Sequence, residues 1–391
     1  MKKIELMAPA GDFPNLHAAI KAGADSVYLG LKEFNMRNSA KNFTIEELKE
    51  ASEICRKNKI KLYLTLNTII YDNEIKKIEK IIKKVKNQVD AVICWDFSVI
   101  ELCRRYKIPF HISTQASVSN SETALFYKKL GAKRINLARE LNLKQIKQVS
   151  KVMPVEIFGH GAMCVSISGR CFTSQFLQNK SANRGQCTHP CRRAYKIIDP
   201  DGYELKLENN RVMSAKDLCA LPFIEEIKKA GISALKIEGR NRGAEYVYAV
   251  TKVYRKALDK KMTKEDIEKG MKELKRVYNR GLSPGFYLGL PTSDDFTKSD
   301  SGEAEEKKII TGRIENYWKK IGVAHVKIFT GKLEVGDEVY IKGKTTGIIR
   351  ARIESMEINN KPVEKAGKGD VGIKLPQCRK GDEVYLIVKR S

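Results

Sequence analysis

The sequence predicts an α/β protein: a (β/α)8 TIM-like barrel with a cysteine-bearing insertion after its seventh strand, followed by a small C-terminal all-β barrel domain. Three observations predict it. Eight short apolar, β-branched runs alternate with amphipathic stretches, the signature of a parallel sheet covered by helices. One gap is far longer than the rest and holds five of the nine cysteines. A polar stretch near residue 300 then gives way to short strands with Gly-Asp turns.

The eight runs are IELMA (4–8), SVYLG (26–30), KLYLTLN (61–67), AVICW (91–95), FHIST (110–114), RINLA (134–138), VEIFGH (155–160) and ALKIEG (234–239). Segments such as IEELKEASEICRKN and TALFYKKLG separate them with helical periodicity. Eight units are the number that closes a barrel, whose active-site rim is built by the loops following the strands. The insertion, 161–219, falls on that rim. Within it, 195–213 reads as a hairpin turning at Asp201-Gly202, and 216–231 as a helix leading into the eighth strand. Another helix is expected around 262–280. Residues 1–290 form the barrel domain, 291–308 a flexible polar linker, and 309–391 the β domain.

Composition narrows the class. The chain has 391 residues, 42% hydrophobic and 31% charged, enough apolar content for a globular core. No run approaches the roughly 18 apolar residues of a membrane span, and Glu5 and Asp12 interrupt any signal-like start. A cytoplasmic protein without membrane contact is expected. The formal net charge of +26 makes RNA the leading candidate partner, since a cationic excess attracts polyanions. A Lys/Ile-rich genomic bias would decorate the surface in the same way.

In a reducing compartment, clustered cysteines point to metal binding or catalysis before disulfides. Cys164, Cys171, Cys187, Cys191 and Cys219 lack the two-residue spacing of zinc fingers, and Ala194 breaks the radical-SAM run. Thiolates scattered over a long loop suit an iron-sulfur cluster, with zinc as the rival metal. His160, four residues before Cys164, also admits a thiol-protease arrangement, although neighbouring positions seldom form a dyad. HExxH and P-loop motifs are absent. Arg37, Asn42, Asn67, Asp96, Gln115, Arg139, Glu140, Glu238 and Arg240 fall at strand ends, where they could bind a small anionic substrate or pair among themselves, as Arg139-Glu140 and Glu238-Arg240.

The segments LMAPAGD (6–12), YLGLKEFNMRNSAKNF (28–43), GHGAMCVSISGRC (159–171), RGQCTHPCR (184–192), KDLC (216–219), KIEGR (236–240) and NRGLSPGFYLG (279–289) resemble peptidase family U32, the collagenase-like proteins, over nearly the whole chain. The resemblance implies a barrel enzyme with a four-cysteine 4Fe-4S cluster, whose better-understood members hydroxylate RNA bases or quinone precursors without oxygen. The branch most similar is the tRNA 5-hydroxyuridine synthase, for which prephenate is implied as a small carboxylate co-substrate; the ribosomal-RNA cytidine hydroxylase and a true peptidase are the alternatives. Cys164, Cys171, Cys187 and Cys219 are the ligands this implies, with Cys191 an alternative fourth. His160 joins the rim residues as a substrate-binding candidate. The C-terminal segment, with KLEVGDEVYIKG and GKGDVGIKL, is similar to the second domain of translation elongation factors and favours RNA as partner.

Overall fold

A computed structural model describes residues 3–167, 169–207, 209–299 and 302–390. Ser168 of the GHGAMCVSISGRC segment, Glu208 of the expected hairpin, and Asp300 and Ser301 of the expected linker lie outside the described residues.

All eight apolar runs form strands of one closed parallel barrel. They are β1 (Glu5–Pro9), β2 (Ser26–Gly30), β3 (Lys61–Thr65), β4 (Ala91–Cys94), β5 (Phe110–Ile112), β6 (Arg134–Asn136), β7 (Val155–Gly161) and, after the insertion, β11 (Ala234–Ile237). Each pairs with the next, and β11 hydrogen-bonds both β7 and β1, which closes the ring. The helices between them are α1 (Phe13–Lys21), α2 (Ile45–Lys57), α3 (Ile75–Val85), α4 (Phe97–Arg105), α5 (Ser121–Lys129) and α6 (Leu143–Val149). Their starts are written in the sequence: Asp12, Thr44, Asp96, Asn120 and Asn142 each accept a backbone N–H of the first turn.

The insertion carries α7 (Thr173–Gln178), the short hairpin β8 (Ile197–Ile198) and β9 (Glu204–Leu205), and β10 (Asp217–Cys219). The expected helix over 216–231 is therefore corrected at its start. Residues 217–219 pair antiparallel with the end of β7, and the helix, α8, spans only Ile224–Lys229. After β11 come α9 (Ala244–Asp259), α10 (Lys264–Arg276) and β12 (Leu282–Ser283), which pairs with β10.

The segment expected as a flexible linker is instead a strap laid on the barrel. The Lys216 amide donates to the Asp295 carbonyl at 2.8 Å, the Thr297 amide to Ser214 at 2.8 Å, and the Glu303 amide to Asn279 at 2.8 Å. Beyond it the β domain comprises β13 (Glu306–Trp318), β14 (Val323–Ile328), β15 (Leu333–Glu334), β16 (Glu338–Gly343), β17 (Gly347–Arg352), β18 (Met356–Ile358), β19 (Lys361–Pro362), β20 (Lys365–Ala366), β21 (Gly369–Lys374) and β22 (Glu383–Lys389). Its antiparallel sheet surrounds a core of its own that includes Ile314, Val339, Ile373 and Val384. The domain also docks on the barrel: Ile348 joins the barrel core, Lys21 donates to the Thr346 carbonyl at 2.6 Å, and Lys308 pairs with Glu245 at 2.6 Å. Among the described residues no helix is long and apolar enough to cross a membrane.

Candidate active site at the barrel mouth

Side chains of alternate strand residues point into the barrel, and here that interior is charged. At its lower end Arg134 grips Glu5 with two bonds of 2.9 and 2.8 Å and stands 3.6 Å from Glu156, which accepts from Lys236 at 3.0 Å. Burial alone would raise the Glu5 carboxyl. Arg134, Ser26 and Tyr63 overcome it and hold the group at about 2.

The upper end differs. Arg37 Nε donates to Glu238 at 3.0 Å, and the Tyr28 hydroxyl to the Ile237 carbonyl at 2.9 Å. Arg240 donates to the Thr65 hydroxyl at 3.1 Å, and Arg139 to the Ala162 carbonyl at 3.0 Å. The Arg139 guanidinium lies 4.1 Å from the centre of the Phe158 ring, and its buried Nε has no hydrogen-bond partner. Gly30 admits this arrangement, because a Cβ there would stand 2.2 Å from Arg240 Nη1. Burial would raise Glu238, but Arg37, Arg139 and Arg240 bring it down to about 2. Burial lowers Arg240 to about 10 and also lowers Arg139. Three guanidiniums thus share one carboxylate around a cavity of about 30 Å³ that Asn67, Gln115, Asn136 and Lys236 also line. A second cavity, about 230 Å³, adjoins it through Thr114 and Arg139 and is lined by Cys164 and Glu140.

Above this mouth the insertion gathers thiols. Arg192, next to Cys191, donates to the carbonyls of Met163 and Ala215, which draws the Cys164 and Cys191 segments together. The Cys171 amide donates to the buried Asn183 side chain at 2.9 Å. Buried Ser174 accepts from the Thr188 amide at 3.1 Å, and its hydroxyl lies 4.0 Å from the Cys187 sulfur. Burial raises the Cys191 thiol, Arg192 opposes this, and Cys164, Cys187 and Cys171 raise it further. Cys164, Cys171 and Cys187, all partly exposed, therefore lie within electrostatic reach of Cys191.

Cys219, a ligand that the resemblance implies, sits in a different environment. It is 2% exposed, its sulfur lies 3.7 Å from the Tyr254 hydroxyl and 3.7 Å from the Met271 sulfur, and burial raises the thiol to about 11. Among the described residues, no three His, Cys, Asp or Glu side chains are placed to hold a single metal ion.

A closed barrel with a thiol-bearing insertion over a cationic mouth has an established counterpart in sequence: the family model described as "Peptidase family U32" matches residues 11–296. The chain belongs to this family. Among U32 relatives, an uncharacterized protease of Methanocaldococcus jannaschii is 44% identical, covering 99% of each chain. A protein named collagenase from Porphyromonas gingivalis is 40% identical over 99% of this chain and 98% of its own. The tRNA hydroxylation protein P1 of Bacillus subtilis is 35% identical over 82% of both.

The rim residues of this U32 chain divide by position. Arg37, Asn67, Gln115, Arg139, Glu238 and Arg240 converge on the mouth, Asn67 orienting the loop by accepting from the Met36 amide at 3.2 Å. Asn42 does not line this cavity; it adopts φ 53° and donates to the Arg37 and Ala40 carbonyls, shaping the turn that presents Arg37. Asp96 caps α4, and Glu140 faces the outer cavity. His160 is 1% exposed, 3.4 Å from the Tyr254 hydroxyl, with burial lowering it to about 4. The ion pairs differ from those considered, since Glu238 binds Arg37 and Arg139 binds a carbonyl. Tyr28 and Lys236 are not among the sequence candidates. Lys236 precedes Glu238 and Arg240 at two-residue steps, so strand periodicity is the signal that finds it.

Proposed function

We propose that this U32 protein is an RNA-modifying enzyme that hydroxylates tRNA wobble uridine to 5-hydroxyuridine without oxygen, with a small dicarboxylate such as prephenate as co-substrate. The observation that carries the reading is the charge at the mouth: Arg37, Arg139 and Arg240 stand against Glu238 alone, Arg240 and Glu238 buried and the other two half-buried. Guanidiniums without carboxylate partners are costly to desolvate, so the charge of the site matches an anion with two negative charges, each carboxylate gripped by a guanidinium fork. Ionised Glu238 keeps Arg37 in place, and Phe158 supports Arg139. The outer cavity beside Cys164 then offers room for an unstacked base.

Cys164, Cys171, Cys187 and Cys191 would hold a 4Fe-4S cluster. Cys191 lies within electrostatic reach of the other three, and thiols scattered over a long loop suit a cluster, in which each sulfur binds its own iron. When bound, such a cluster supplies one-electron chemistry, and the Ser174 hydroxyl near Cys187 is of the kind that tunes its potential. Relatives named collagenase favour a peptidase as second reading. It finds little support at the site, because the imidazole of His160 is buried against Tyr254 and not presented to Cys164 as a base. Mass spectrometry of tRNA nucleosides after deletion of the gene tests the proposal: 5-hydroxyuridine and its derivatives should disappear and return with the wild-type gene. Unchanged nucleosides would overturn it.

A further inference from the structure

The insertion exposes an apolar surface that neither the barrel nor the β domain covers. Phe172 is 62% exposed, Phe176 84% and Leu177 62%. Helix α7 is turned inside out relative to an ordinary surface helix. Its fully buried side chain is Ser174, which holds the Cys187 segment, while Phe176 and Leu177 face solvent. The Phe172 and Phe176 rings lie 6.2 Å apart. Arg170, two residues before Phe172, stands 5.0 Å over the Trp95 ring at the end of β4 and lies within electrostatic reach of Tyr127, whose ring packs 5.7 Å from exposed Phe126. A line of aromatic rings and one guanidinium therefore borders the mouth on the side of Cys171.

The charge of this segment decides what would cover it. From Cys164 to Arg193 it contains five basic residues, Arg170, Lys180, Arg184, Arg192 and Arg193, and no Asp or Glu. Arg184 is paired with Glu74 and Arg192 is tied to backbone carbonyls, but exposed aromatic rings beside Arg170, Lys180 and Arg193 match single-stranded nucleic acid, whose bases stack on the rings while phosphates meet the cations. We propose that Phe172 and Phe176, with Arg170, form the stacking platform for unpaired RNA bases flanking the nucleotide at the mouth. This deepens the RNA-modifying reading and rests on it.

The test measures binding of an anticodon stem-loop RNA to the full chain by fluorescence anisotropy at fixed salt. Phe176→Ala should weaken binding about 5- to 100-fold, the range for losing one stacked base. Phe176→Trp should bind within about twofold of wild type, because indole stacks on bases as well as phenyl does, and Phe176→Leu should behave as Phe176→Ala. The salt dependence should be unchanged, since phosphate contacts remain. Equal binding by wild type, Phe176→Ala and Phe172→Ala would overturn the platform while leaving the RNA reading standing. Wild-type protein that does not bind the loop would overturn both. Restoration by Phe176→Leu, or self-association that the Ala variants abolish, would make the patch a protein interface and refute the proposal.

Discussion

The two ends of the barrel interior are built from the same residue types and balanced differently. In the lower half every charge has an ion-pair partner: Glu5 pairs with Arg134 and Lys61, and Glu156 with Arg134 and Lys236. In the upper half Glu238 alone answers Arg37, Arg139 and Arg240. Arg240 and Glu238 are buried like the lower set, whereas Arg37 and Arg139 are half-buried at the mouth. Balanced buried charge serves structure; an excess that the fold leaves unanswered serves a ligand.

The largest expected effect lies in the thiols above the upper half. Replacing Cys164, Cys171, Cys187 or Cys191 with Ala should abolish the brown colour and the roughly four irons per chain of anaerobically purified protein. Cys219→Ala should keep both and cost roughly 1 kcal/mol of stability, as an ordinary core change does. Iron lost from Cys219→Ala and kept in Cys191→Ala, measured by absorbance and metal analysis, would restore the set inferred from sequence.

Next comes the arginine pair that compares the two halves. Arg134→Met strands Glu5 and Glu156 without their shared cation and should cost about 3–5 kcal/mol in urea unfolding. Arg139→Met removes a guanidinium with no carboxylate partner and should change stability by less than about 1 kcal/mol, or raise it. Equal losses would show that the upper half is structural too.

Acid sharpens the same contrast more gently. Glu5 and Glu238 both titrate near 2 in the fold against an ordinary 4.5, so each contributes stability that is present above about 4.5 and lost as pH falls towards 2. Glu5→Gln should flatten that limb of the Tm profile. The smallest effect belongs to His160. Its folded value, about 4, lies below the ordinary 6.5, so the unfolded chain takes up the proton first and stability declines as pH drops from 6.5 to 4. His160→Asn should remove one proton from that slope, read from Tm against pH.

Much of this is legible in the chain. The β-branched runs mark all eight barrel strands because parallel strands are buried on both faces and need little context. Helix α9 is missing from the sequence reading, although Val247, Val250, Tyr254 and Ala257 repeat at helical spacing. KDLC reads as helix because Leu218, Leu221 and Ile224 share that spacing. It is a strand because β7 extends past the barrel edge and offers a partner, a long-range fact. Cysteine spacing cannot show that Cys219 turns into the core towards Tyr254 while Cys191 turns outward. Polar strand ends announce Arg37, Arg139, Glu238 and Arg240, but the pairing of Arg37 with Glu238 joins residues 201 apart, beyond any local pattern.

The central claim is that the upper half of the barrel is a site for a small anion. Calorimetric titration of prephenate into the full-length, iron-loaded protein tests it most directly. The wild type should bind saturably with one molecule per chain and gain stability, about 2.7 kcal/mol at a hundredfold excess over Kd. Arg139→Met and Arg240→Met should bind at least about tenfold more weakly, the loss of a charge-assisted bond. Absence of binding by intact wild-type protein, or equal binding by both variants, would contradict the account.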